Sequence, residues 1–210
     1  IISPPFVYLL AKWRVNPIHI NYINFILVIS ALLSFAFFSY YTVTIMLLML
    51  WQFIDTLDGG LARARNIVNN YGGFVDYLTG MIVITFLPIS VAVAASNQMH
   101  NDLLYNFTIF VHVSPTLILI IGGLSSISAI FSRFINHTVK IRFNENNALK
   151  LIYGLDITSV FKIVIINIEN VGGVQLIVLL IMGLFDFLHI YVIIYGIINI
   201  LTMTYVLVNS

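Results

Sequence analysis

The chain has 210 residues, of which 60% are hydrophobic and 8% are charged, and its formal net charge is +1. A soluble domain of this size does not need so much apolar surface, so the composition predicts an integral membrane protein, and we expect no nucleic acid among its partners. The absence of cysteine excludes disulfides and thiolate metal sites.

Helices are the expected elements, because a backbone inside lipid must satisfy its own hydrogen bonds and the apolar runs are too long for barrel strands. The predicted fold is a single all-α integral membrane domain over residues 1–210, with six transmembrane helices after an N-terminal interfacial amphipathic helix. The interfacial helix and the six spans are predicted at about 1–18, 20–40, 43–65, 73–96, 103–132, 163–185 and 188–208.

The first 18 residues mix apolar and aromatic side chains with Lys12 and Arg14, which is typical of a short helix lying in the membrane interface. A frayed tail is the alternative. From Val15 to Ile54 the chain contains no Lys, Arg, Asp or Glu, which is enough for two spans of roughly 20 residues each in a ~30 Å hydrocarbon core.

The second half of the chain continues the pattern. In the fourth predicted span, Pro115 and Gly122–Gly123 are expected at a kink or a close helix contact. A long polar region follows at 133–162, and Glu169 is the only charged residue between Lys162 and Phe185.

The distribution of basic residues predicts the topology. Six spans would place the N-terminus, the 63–72 loop, the 133–162 loop and the C-terminus on one side of the membrane. All nine Lys and Arg residues of the chain fall on that side. By the positive-inside rule that side is cytoplasmic.

The most informative stretch is residues 55–80, DTLDGGLARARNIVNNYGGFVDYLTG. Asp55 and Asp58 lie three apart and so share one face of a helix, and Asp76 comes near the start of the next span. Carboxylates near the ends of adjacent membrane helices are costly unless they bind something. Mg²⁺ or Mn²⁺ suits such hard oxygen ligands and commonly bridges to a phosphate. The residues therefore predict a metal-dependent phosphate or pyrophosphate site at the membrane surface; structural ion pairs with Arg63 and Arg65 are the alternative.

This stretch resembles the signature of the CDP-alcohol phosphotransferases, D-x2-D-G-x2-A-R-x8-G-x3-D-x3-D. Seven residues of the chain fall on its positions: Asp55, Asp58, Gly59, Ala62, Arg63, Gly72 and Asp76. One position departs, because Gly80 stands where the family has its last aspartate, the general base. The resemblance therefore covers the metal and nucleotide positions more completely than the base.

The resemblance implies a membrane transferase that moves a substituted phosphate from a CDP-linked donor to an alcohol and releases CMP. It implies that Mg²⁺ or Mn²⁺ is held by Asp55, Asp58 and Asp76, with Asp76 also catalytic. The CDP moiety would lie at four positions: Gly59, Ala62, Arg63 and Gly72. A CDP-lipid donor with a small polar alcohol is one branch of the family, and a soluble CDP-alcohol with a lipid acceptor is the other. A homodimer is also expected by resemblance.

Other interpretations stay open at this point. The small residues could serve helix packing alone, and a relative without the base could bind CDP-linked ligands without turnover. A transporter is a further alternative, although charges near the bilayer midplane would then be expected. Glu169 is a candidate for the missing base or an extra metal ligand, or else an interfacial glutamate bonded to its neighbours. Arg133 is a candidate for binding a phosphorylated acceptor.

Overall fold

In the computed structural model the described residues are 3–37, 41–65, 70–101, 113–142 and 174–209. Most of these residues are helical, and none of them forms a β-strand. The helices are α1 Ser3–Lys12, α2 Pro17–Phe37, α3 Tyr41–Ala64, α4 Asn70–Asn101, α5 Pro115–Arg142, α6 Leu176–Leu184 and α7 Leu188–Asn209.

Five of these helices are long and apolar enough to cross a membrane, namely α2, α3, α4, α5 and α7. The chain is therefore a multi-pass membrane protein. The first half of the predicted span at 163–185 lies outside the described residues, and its described second half contains the short helix α6. The count of six spans therefore remains a prediction.

Two helices continue past their predicted spans. α4 runs on through a polar stretch to Asn101, past its predicted end at residue 96, and α5 runs on to Arg142, past its predicted end at residue 132. Ser96 and Gln98 are buried in the extended part of α4, and the Gln98 amide donates to Asp186. Polar residues can extend a membrane helix when the bundle supplies their partners, and composition alone does not show those partners.

Two of the membrane helices begin in the same way. Asn16 precedes Pro17 and its Oδ1 accepts from the backbone N–H of Ile18 at 3.2 Å. Ser114 precedes Pro115 and its Oγ accepts from the N–H of Leu117 at 3.2 Å. A polar N-cap followed by proline at the first helical position is a favourable start. Pro115 therefore begins α5 and does not kink it.

The helix α4 lies at the centre of the bundle and contacts α2, α5 and α7. Its contact with α5 is close: a Cβ on Gly122 would lie 2.3 Å from the Cβ of Ala92 and 3.1 Å from the carbonyl oxygen of Pro88. Gly122 is thus a close-packing residue, whereas a Cβ on Gly123 would meet nothing within 4 Å. Of the two glycines that the sequence predicted together at a kink or a close helix contact, only Gly122 lies at such a contact.

The first helix packs against α3. The rings of Phe6 and Phe53 meet edge to face with centroids 5.4 Å apart, and a Cβ on Gly60 would lie 2.9 Å from a methyl group of Val7. The helix α1 thus covers the part of α3 that carries the aspartates. Its predicted position in the membrane interface stays a prediction.

The contacts define two ends of the bundle. At one end, Asn21 near the start of α2 donates to the carbonyl of Gly72 near the start of α4. At the other end, the hydroxyl of Tyr41 donates to the carbonyl of Ala94, and Gln98 reaches Asp186 in the turn between α6 and α7. We call the first of these the site end, because the aspartate motif lies there.

Candidate functional site

Three carboxylates from two helices come together at the site end. Asp55 and Asp58 lie near the end of α3, and Asp76 lies in the second turn of α4. One carboxylate oxygen of each lies within 4.8 Å of those of the other two. Both helices pack against α2, which brings the end of α3 and the start of α4 to the same end of the bundle. We call these three residues the aspartate triad.

The three carboxylates differ in exposure. Asp58 is only 7% exposed, Asp55 is half-buried and Asp76 is exposed. Asp58 accepts a hydrogen bond from the backbone N–H of Gly59. Three like charges this close repel one another, and a divalent cation between them would offset both the repulsion and the cost of burial.

The two neighbouring arginines occupy different positions. Arg65 donates from Nη1 to the carbonyl oxygen of Val15 at 2.6 Å, so it fastens the connection between α1 and α2 to the end of α3. Arg63 is exposed, and its Nη1 lies 3.4 Å from the position of a Cβ on Gly59. Arg65 is therefore engaged outside the aspartate triad, whereas the Arg63 cation acts on Asp58. One arginine is thus left to offset three carboxylates, which does not favour ion pairs as their only purpose.

The small motif residues lie beside the aspartate triad. A Cβ on Gly59 would contact the Arg63 guanidinium, and a Cβ on Gly72 would lie 3.7 Å from the Asn21 amide nitrogen. Gly59, Ala62 and Gly72 are half-buried. Substitutions at the two glycines would therefore meet polar groups of the site and not the apolar packing of the helices.

Gly80 and Arg133 are neighbours. A Cβ on Gly80 would lie 3.5 Å from Nη2 of Arg133, which is half-buried on α5. Arg133 therefore faces the position where the family signature has its last aspartate. The sequence separates these residues by most of two spans, so only the packing of α5 on α4 shows their contact.

Glu169 falls outside the described residues, so its role as a base or metal ligand remains a hypothesis. The aspartate triad, Gly80 and Arg133 all lie at the site end. The described part of the chain therefore assembles the predicted metal, nucleotide and acceptor candidates in one region.

Two residues of the site were missed in the sequence. Asn24 donates from Nδ2 to Oδ1 of Asp55 at 3.0 Å, and Asn21 donates to the Gly72 carbonyl at 3.4 Å. Both side chains are buried, at 2% and 6% exposure. Two asparagines three apart in an otherwise apolar span share one helix face, and this spacing was the available signal.

The residues present fit a divalent cation. Carboxylate oxygens are the ligands that Mg²⁺ and Mn²⁺ prefer, and the aspartate triad offers three of them within bridging distance. The buried amide of Asn24 donates to one of these carboxylates, that of Asp55.

The family comparison covers the same region. The model of the CDP-alcohol phosphatidyltransferase family matches residues 14–140, which include α2 to α4, nearly all of α5, the aspartate triad, Gly80 and Arg133. No curated protein and no solved structure gives a significant match to the chain. Since the family model matches more than half of the chain, this protein belongs to the CDP-alcohol phosphatidyltransferase family.

Proposed function

We propose that this protein is a divalent-metal-dependent membrane transferase that moves a substituted phosphate from a CDP-linked donor, preferentially a CDP-lipid, to an alcohol. Family membership implies transfer from a CDP-alcohol to an alcohol. The observation that carries the metal-dependent form of the proposal is the aspartate triad, whose carboxylate oxygens lie within 4.8 Å of one another.

Asp55, Asp58 and Asp76 would hold Mg²⁺ or Mn²⁺. The ion would supply charge neutralisation at the pyrophosphate and at the departing CMP. The neighbouring residues would bind the nucleotide, with Gly59 and Gly72 leaving room for it and Arg63 placing its cation near the phosphates. Ala62 lies on the same helix, one residue before Arg63.

The transfer requires one bond to form and one to break. The acceptor hydroxyl oxygen attacks the phosphorus that carries the donor's alcohol, and the bond from that phosphorus to the oxygen of CMP breaks. The hydroxyl proton passes to a carboxylate. Asp76 is the exposed member of the aspartate triad and is our first candidate for this role; Glu169 is the second.

Arg133 is proposed to bind the acceptor. Its guanidinium lies beside Gly80, one helical turn after Asp76 on α4. A cation at this distance from the aspartate triad suits an acceptor that carries a phosphate or another anionic group. We further propose a homodimer in the membrane with the site end facing the cytoplasm.

The alternative, a relative that binds CDP-linked ligands without turnover, depends on Gly80. The retained motif and the assembled aspartate triad favour the enzyme. The two functions differ in one measurement, the release of CMP.

CMP release from the purified, reconstituted protein tests the proposal. The protein is offered CDP-diacylglycerol with small alcohols, and separately CDP-alcohols with lipid, each with and without Mg²⁺. We expect Mg²⁺-dependent release with one class of donor. Nucleotide binding without CMP release under any condition would support the non-catalytic alternative instead.

The matched variants are Asp58→Asn and Asp186→Asn. Each removes one carboxylate charge, but Asp58 belongs to the aspartate triad and Asp186 lies at the opposite end of the bundle. We expect Asp58→Asn to lower CMP release by at least about 100-fold, the upper range for loss of a group that supports a metal site. Asp186→Asn should retain activity, and equal losses would contradict the assignment of the site.

The variant Glu169→Gln tests the second proton acceptor. If Glu169 takes the proton, this variant should still bind the donor while turnover is lost. Full activity of Glu169→Gln would leave Asp76 as the candidate.

A further inference from the structure

The face of α2 that meets the aspartate motif carries two buried amides one helical turn apart. Asn21 is 6% exposed and Asn24 is 2% exposed. Asn21 donates to the carbonyl of Gly72 on α4, and Asn24 donates to the carboxylate of Asp55 on α3. One face of α2 therefore contacts both helices that supply the aspartate triad.

The two amides also share an unpaired oxygen. The Oδ1 atoms of Asn21 and Asn24 are buried and accept no hydrogen bond within the part of the chain that the structure describes. A buried acceptor without a donor costs on the order of 1–3 kcal/mol. Each amide thus keeps its donor on a residue of the site end although its own oxygen is left unpaired, which favours a role at the site over a role in stability.

The orientation of the Asn24 amide follows from its partner. Ionised carboxylates only accept hydrogen bonds, so the NH₂ group of Asn24 must face Asp55. Reversing the amide would set two acceptor oxygens against each other. The Asn24 amide therefore donates to a member of the aspartate triad, while its carbonyl oxygen stays buried without a hydrogen-bond donor in the described part of the chain.

We infer that Asn24 is a positioning residue for the metal site: its Nδ2 fixes the Asp55 carboxylate in the orientation in which Asp55 would hold the ion. This inference rests on the proposed function, because it assigns a supporting residue to the same metal site. Groups that hold metal ligands from outside are commonly worth 10–100-fold in metal affinity.

Mn²⁺ binding by the full-length protein, without nucleotide, tests the inference. Free Mn²⁺ is measured by electron paramagnetic resonance in titrations of the wild type and of Asn24→Leu, which keeps the volume and removes the amide. We expect Asn24→Leu to weaken Mn²⁺ binding about tenfold. Asn24→Ala, a smaller residue without the amide, should weaken it similarly, because the lost group is the same.

The control is Asn199→Leu. Asn199 also donates a side-chain hydrogen bond between membrane helices, to Oγ of Ser125 at 2.8 Å, but its partner is a hydroxyl on α5 and not a carboxylate. The variant Asn199→Leu therefore makes the same chemical change as Asn24→Leu, but between α7 and α5. We expect the Mn²⁺ affinity of Asn199→Leu to equal that of the wild type.

A second measurement separates positioning from general damage. In the CMP-release assay, Asn24→Leu should raise the half-saturating Mg²⁺ concentration about tenfold, while the rate at saturating Mg²⁺ changes much less. Unchanged Mn²⁺ affinity in both Asn24 variants, or a loss of nucleotide binding alone, would overturn the inference and leave the proposed function standing. If the wild type neither binds Mn²⁺ nor releases CMP, both are overturned.

Discussion

The carboxylates of the aspartate triad are held to different degrees. Asp58 is buried and accepts from the N–H of Gly59, and Asp55 accepts from the Asn24 amide. Asp76 is exposed. Two members are therefore oriented by the protein, whereas the third is accessible to an incoming substrate, which is why we place the proton acceptor there.

At the same scale, Gly80 and Arg133 allow a specific prediction. A Cβ on Gly80 would lie 3.5 Å from Nη2 of Arg133, so the carboxylate of Gly80→Asp should pair with this guanidinium. We expect Gly80→Asp to destabilise the protein less when Arg133 is present than in the Arg133→Leu background. The coupling should be about 1 kcal/mol or more, within the range for residues in contact.

Thermal unfolding in detergent measures this coupling. The series comprises the wild type, Gly80→Asp, Arg133→Leu and the double variant. A non-additive shift of Tm in the double variant is the expected result. Additive shifts of Tm would show that the introduced carboxylate does not reach Arg133. The predicted pairing of this carboxylate with Arg133 would then be wrong.

At the scale of elements, α4 has two functions. Its first turns contribute Gly72, Asp76 and Gly80 to the site, and its middle packs closely against Gly122 of α5. Because Arg133 lies on the same helix as Gly122, the approach of α5 to α4 also determines how near Arg133 comes to the site.

The variant Gly122→Val tests this packing. Its side chain would overlap Ala92 and the carbonyl of Pro88, and overpacking of this kind typically costs about 1–3 kcal/mol. We expect a lower Tm in detergent. Gly123→Val makes the same change where nothing lies within 4 Å, so its Tm should fall much less; equal losses would indicate that helix propensity and not packing is responsible.

At the scale of the whole molecule, the described basic side chains share one end of the bundle with the aspartate triad. Arg63 and Arg65 close α3, Arg133 faces Gly80, and Lys12 and Arg14 lie at the connection that Arg65 holds. Such clustering is typical of the cytoplasmic side of a membrane protein. The orientation remains a prediction with a direct test.

Single cysteines provide that test, since the chain has none of its own. His19 and Thr116 are both exposed residues in the first turn of a helix that begins with proline, but they lie at opposite ends of the bundle. A membrane-impermeant maleimide should label Thr116→Cys in intact cells. It should label His19→Cys only after permeabilisation, and the reverse pattern would place the site outside.

The sequence by itself determined the class of protein, the family and the residues of the motif. Long apolar runs can only be helices in lipid, and the spacing of Asp55, Asp58 and Asp76 is local enough to be read directly. The chain order of the described spans follows from the same runs, because each run is about as long as the membrane is thick.

Only the tertiary structure decided which residues from other helices complete the site. The contacts of Asn24 with Asp55 and of Arg133 with Gly80 join positions far apart in the chain. The extension of α4 to Asn101 likewise depends on Gln98 finding Asp186. Hydropathy registers a polar residue only as a cost, whereas its real contribution depends on the partner that helix packing brings within hydrogen-bond distance.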